Sequence, residues 1–102
     1  MDTQLVIQRG INERRVLRLV YRSKSSGYTV RIVHPYALFW YRKVMDDARE
    51  LYLSGLCHVR GDVRIFLVNR IVTASLTSTT FLPTGQSDMP EWAYRGQIIA
   101  RV

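Results

Sequence analysis

Residues 50–70 constrain the fold most: two runs of alternating apolar and polar side chains flank a Gly-Asp turn. Residues 50–59 read as one strand, Arg60-Gly61-Asp62 as the turn and residues 63–70 as the returning strand. In a strand, side chains alternate between two faces. Tyr52, Ser54, Leu56 and His58 therefore share one face of the first arm, with Leu51, Leu53, Gly55 and Cys57 opposite. In the second arm Arg64, Phe66, Val68 and Arg70 fall on one face, and Ile65, Leu67 and Asn69 on the other. Two arginines beside an aromatic ring make a candidate anion site with a stacking platform. Solvated arginines at the two ends of a strand are the plainer alternative.

The rest of the chain is punctuated in the same way. Residues 3–12 form a short helix, capped by Asp2 or Thr3 and ending near Gly10. Residues 14–22 form a strand with Leu17, Leu19 and Tyr21 on its greasier face, and residues 23–27 a turn. The next strand starts at Tyr28 and breaks at Pro35, which cannot donate to a central ladder. The chain stays extended through residues 37–40. Residues 41–49, with Asp46 and Asp47, are a loop or a single helical turn. Residues 71–81 are a Thr-rich strand, 82–91 a loop, and 92–102 a strand or short helix.

About five short strands and one N-terminal helix predict a mainly β fold, a small curved barrel of the SH3-like or Sm-like kind. One domain over residues 1–102 is expected, with its core at about 5–81 and a C-terminal extension at 82–102.

Charge narrows the function. The formal net charge is +7, and of the 15 basic residues only Lys24 and Lys43 are lysine, the rest being arginine. The planar guanidinium suits bidentate contacts with phosphate or carboxylate and stacks on flat rings, so an anionic partner is expected, nucleic acid foremost. A basic solvated surface without a partner is the alternative. No apolar run approaches the roughly 20 residues of a membrane span, so no membrane partner is expected. The one cysteine, Cys57, excludes an internal disulfide framework and fits a reducing compartment, hence the cytoplasm.

Other motifs carry less. Arg60-Gly61-Asp62 matches an adhesion tripeptide, but a hairpin turn explains it. His34, Cys57 and His58 could be taken for metal ligands, yet Cys57 and His58 point to opposite faces and no fourth ligand has suitable spacing, so structural roles are expected. Phe39-Trp40-Tyr41 supplies one core-facing side and one partly exposed side. No Gly-rich phosphate loop, nucleophile–His–acid set or carboxylate cluster is present, which argues against an enzyme and predicts no cofactor.

The chain also resembles the WYL domain of bacterial transcriptional regulators. Tyr21 and Ser23 stand as Y-x-S, Arg31 and Pro35 as R-x-[IV]-x-P, and Leu51-Tyr52-Leu53 where Trp-Tyr-Leu lies. Arg64, Phe66, Arg70 and Ile71 match R-x-F-x-[LV]-x-R-[IV]. The likeness spans about residues 5–81. It implies an Sm-like or SH3-like sensor module that works with winged-helix DNA-binding domains and takes nucleic-acid or nucleotide ligands, single-stranded DNA among them. The ligand positions it implies are Ser23, Arg31, Tyr36, Tyr52, Arg64 and Arg70, to which the alternation adds Phe66. Two departures stand out: Leu51 replaces the family tryptophan, and Asn69 an aspartate. With about a dozen residues before the first strand, either a standalone protein or a piece of a longer regulator is expected.

Two functional readings follow. One is a regulatory sensor binding single-stranded nucleic acid or a nucleotide, as a homodimer and in concert with a DNA-binding domain. The other is a protein-interaction or dimerisation module using Phe39-Trp40-Tyr41 and the tail from Trp92.

Overall fold

The computed structural model describes residues 2–25, 27–42, 49–58, 61–83 and 95–102. Asp46, Asp47, Arg60, Trp92 and most of the expected 82–91 loop lie outside them. Helix α1 (Thr3–Glu13) starts as expected, with Asp2 Oδ1 accepting from the Gln4 amide at 2.9 Å. It runs past Gly10 and ends where Arg14 enters the left-handed region (φ 53°). Gly10 does not stop the helix because it serves packing. A Cβ there would lie 2.9 Å from Leu17 Cδ2 and 3.2 Å from Pro35 Cγ. Val6, Ile7, Gly10 and Ile11 recur at helical spacing and form the buried stripe.

Among the described residues six strands follow: β1 (Arg15–Arg22), β2 (Tyr28–Tyr41), β3 (Glu50–Cys57), β4 (Asp62–Leu67), β5 (Ile71–Thr80) and β6 (Gln97–Arg101). All pair antiparallel in the order β4-β3-β2-β1-β5, with β6 beside the second half of β2. The fold is thus mainly β with one helix. The expected barrel is not closed, because β4 and β5 remain edges of an open sheet. Those two edges are nevertheless consecutive in the chain, joined only by a 3-10 turn at Val68–Arg70. The sheet must therefore curl until one end of β4 meets one end of β5. The Leu67 amide fixes that meeting by donating to Tyr21 Oη at 3.2 Å.

β2 does not break at Pro35. On one edge it pairs with β1 up to Val33 and with β6 from Ala37, so Pro35 falls in the gap between two partners. A missing amide costs nothing in such a gap. On the other edge the register against β3 shifts between Pro35 and Ala37, which makes Tyr36 the extra residue of a bulge. The bulge switches parity: Val33 before it and Leu38 after it both face the main core, while Ala37 and Phe39 face the opposite side. The main core joins Val6, Ile7 and Ile11 of α1 to Leu17, Leu19, Val33, Leu38, Leu53, Phe66 and Ile71. Ala37, Phe39 and Tyr52 form a second cluster, and Val16, Tyr36 and Phe81 a third. β6 is integral to this arrangement, since Ile99 and Ala100 pack on the main core.

Candidate functional site

The curl that brings β4 to β1 also gathers the charged residues. The turn after β1 is closed by the Ser23 amide donating to the Gly27 carbonyl at 2.9 Å, with Gly27 at φ +76°. Beside this turn lies a cavity of about 540 Å³ lined by Tyr21, Ser23, Lys24, Glu50, Tyr52, Ile65, Leu67 and Arg70. A smaller one of about 170 Å³ shares Tyr21, Ser23 and Ile65 and adds Arg31, Arg64 and Phe66. Six of the seven residues expected from sequence therefore meet around Ser23.

Tyr36 does not join them. The bulge turns it into the third cluster against Val16 and Phe81, fully buried, and its hydroxyl has no hydrogen-bond partner among the described residues. Arg70 arrives by a different route from the one alternation implies. β4 ends at Leu67, and the 3-10 turn carries Arg70 round to Ile71, which pairs with Tyr21. Arg70 Nη1 then lies 3.5 Å from the Arg22 carbonyl, next to Ser23. Phe66 is core, 5% exposed, with its ring edge-to-face on Tyr21 at 5.3 Å. Tyr52 is 9% exposed and packs on Phe39. Neither ring is an open stacking platform; both form the floor.

Each guanidinium is held loosely enough to accept a ligand. Arg31 is half-buried, with Nε donating to Thr29 Oγ1 at 3.3 Å and Nη1 3.9 Å from Cys57 Sγ. No carboxylate pairs with Arg31 or Arg70 among the described residues. Arg64 meets Asp62 at 3.3 Å, but both side chains are substantially exposed, at 42% and 61%. Such pairs are worth about 0–1 kcal/mol, so Asp62 holds Arg64 only weakly. The one carboxylate among the described residues at the cavities, Glu50, lies 3.4 Å from the Tyr52 hydroxyl, which donates to it. Sequence reasoning missed Tyr21, Lys24 and Glu50 as lining residues. The Y-x-S spacing was the signal for Tyr21; nothing local marked Glu50.

His34 and His58 do come together, Nε2 to Nε2 at 2.6 Å, with His34 stacked on Phe81. Burial first, and the neighbouring His58 second, push the His34 pKa below its ordinary 6.5. Cys57 is buried, and no three His, Cys, Asp or Glu converge as metal ligands among the described residues. No helix there is long and apolar enough to cross a membrane.

Comparison with known proteins agrees with this geometry. The family model of the WYL domain matches residues 2–76. Among solved structures the chain is similar to the proteasome accessory factor B/C (PafBC) of Arthrobacter aurescens, with 25% identity and a TM-score of 0.73. That match covers 91% of this chain and 14% of the PafBC chain. No curated protein matches by sequence.

Proposed function

The chain belongs to the WYL domain family, and from that we propose that it is a regulatory, non-enzymatic sensor domain that captures a nucleic-acid or nucleotide ligand at the Ser23 cavities. The observation that carries this reading is the convergence of Arg31, Arg64, Arg70 and Lys24 on two adjoining cavities whose described lining residues include a single carboxylate. Guanidinium forks bind phosphate oxygens in pairs, and such charge-assisted bonds are about twice as strong as neutral ones. Ser23 and the Tyr21 and Tyr52 hydroxyl edges add polar contacts that orient the ligand.

Arg70 sits on the only chain segment joining the two sheet edges, so a phosphate bridging Arg70 to Arg31 or Arg64 would pull β4, β5 and the β1 turn together. In a longer regulator that local tightening would bias a linked DNA-binding domain between states. The short reach of this chain along PafBC fits a module of a larger assembly. A homodimer and a cytoplasmic site of action go with the same reading.

The test is fluorescence anisotropy of short labelled single-stranded DNA and RNA, with nucleotides as competitors, against the native chain, Arg64→Ala and Arg70→Ala. Loss of one charged hydrogen bond costs about 1.5–3 kcal/mol, so each variant is expected to bind roughly ten- to a hundredfold more weakly with unchanged circular dichroism. Native affinity in both variants would remove the site assignment. Absence of any binding, together with a salt-insensitive dimer in sedimentation, would favour the protein-interaction reading instead.

A further inference from the structure

At the far end of β2 the sheet register builds a second basic cavity. Trp40 is paired with Leu51 on one side and Gln97 on the other, and Tyr41 with Glu50. The residues just beyond these pairs are therefore brought side by side. Arg42 follows β2, Arg49 precedes β3 and Arg95 precedes β6. Together with Trp40, Tyr41 and Gln97 they line a cavity of about 620 Å³ that has no carboxylate among its described lining residues. None of the three guanidiniums is ion-paired among the described residues. Arg49 lies over the Trp40 ring, 5.4 Å from its centre, and donates to Gln97 Oε1 at 3.3 Å.

Three like charges facing one cavity repel one another, and an anion between them turns that repulsion into attraction. The cavity also supplies a half-buried ring, as Tyr21 does at the Ser23 site. Trp40 is only half-buried, whereas Tyr52 and Phe66 are sealed into the floor. The two sites are not isolated. Trp40 and Arg49 also line an intervening cavity of about 310 Å³ with Glu50 and Asn69, and Glu50 in turn lines the Ser23 cavity.

We propose that this second cavity is a phosphate and base subsite continuous with the first, so that the ligand is a nucleic-acid single strand of several nucleotides and not a mononucleotide. The proposal rests on the reading of the Ser23 cavities as a nucleic-acid site. Phosphates sit among Arg42, Arg49 and Arg95 at one end and among Arg31, Arg64 and Arg70 at the other. A base stacks against Trp40 and the guanidinium over it. Glu50 repels phosphate, so the strand presents a sugar or base edge there.

The experiment compares a labelled thymidine dinucleotide with a ten-residue oligothymidylate, using the native chain, Arg70→Ala, and the triple variant Arg42→Ala/Arg49→Ala/Arg95→Ala. All three replaced side chains are exposed, and circular dichroism checks the fold. The native chain is expected to bind the longer strand at least about tenfold more tightly, and the triple variant to lose that advantage while holding the dinucleotide as before. Its salt dependence on the longer strand should shallow by about 2, near 0.7 for each lost phosphate contact. Arg70→Ala should weaken both lengths. A triple variant that keeps the full length advantage overturns the subsite and leaves the Ser23 site standing. Binding lost in the triple variant but indifferent to Arg70→Ala overturns the extension by making the Ser23 site irrelevant. No binding of either length by the native chain overturns both readings.

Discussion

Tyr36 illustrates how a single residue can match a family position and still lie apart from the other expected residues. Its buried hydroxyl has no partner among the described residues, and such a group costs about 1–3 kcal/mol of stability. Tyr36→Phe is therefore expected to raise the urea midpoint, or at least not lower it, and to leave oligonucleotide affinity unchanged. Loss of affinity in a folded Tyr36→Phe protein would return Tyr36 to the site. His34 makes a second residue-scale prediction. Its folded-state pKa lies below the ordinary 6.5, so the unfolded chain takes up a proton first as pH falls. Stability is then fully present above about pH 6.5 and declines as pH drops through the window down to the folded-state pKa. His34→Gln should flatten that part of a melting-temperature profile. The exposed Glu13, whose pKa is lowered by its hydrogen bonds to Arg9 and Arg15, acts only below its ordinary 4.5 and does not overlap this window.

Among the elements, β2 is the one that the others are measured against. It has three neighbours along its length, and the bulge at Tyr36 lets one strand serve two cores. The close approach opposite the bulge is made by Gly55, where a Cβ would lie 2.6 Å from both the His34 carbonyl oxygen and Val33 Cγ1. One of those atoms is backbone and cannot step aside. Gly55→Ala is expected to destabilise the fold by about 1–3 kcal/mol, the usual range for overpacking, seen as a lower urea midpoint. A midpoint unchanged by this substitution would mean that β2 and β3 separate there more easily than their register implies. The 3-10 turn at Val68–Arg70 is the other decisive element, since it ends the alternation of β4 and delivers Arg70 to the β1 turn.

For the molecule as a whole, six arginines, Arg31, Arg42, Arg49, Arg64, Arg70 and Arg95, line cavities that share lining residues with one another. A ligand confined to the Ser23 cavities meets four cations, Arg31, Arg64, Arg70 and Lys24. Counterion release then sets a slope of about −3 for log affinity of a short single strand against log salt. Titrations between low and physiological salt measure it directly. A slope near zero would mean that binding, if seen, is not phosphate-led.

β1, β3, β5, the helix start at Asp2, the turn between β3 and β4 and the arginine bias were legible in the sequence, because each is written in local periodicity, capping or composition. Residues 92–102, by contrast, stood open between strand and helix, and the arm expected to reach residue 70 ends at Leu67. That six of the seven expected residues would line adjoining cavities was signalled as well, Arg31 and Ser23 by the family pattern and Arg64 and Phe66 also by alternation. Local pattern could not foresee the bulge that removed Tyr36 or the strand continuing past Pro35. Both depend on which neighbour each edge of β2 meets. Nor could it foresee that the sheet stays open while its two edges meet at a three-residue turn. The meeting of Arg42, Arg49 and Arg95 at Trp40 was equally invisible. Those arginines are separated by as many as 53 positions and become neighbours only through the pairing of β2 with β3 and β6. Sequence determines what each segment prefers; only the long-range hydrogen-bond register decides which preferences share a cavity.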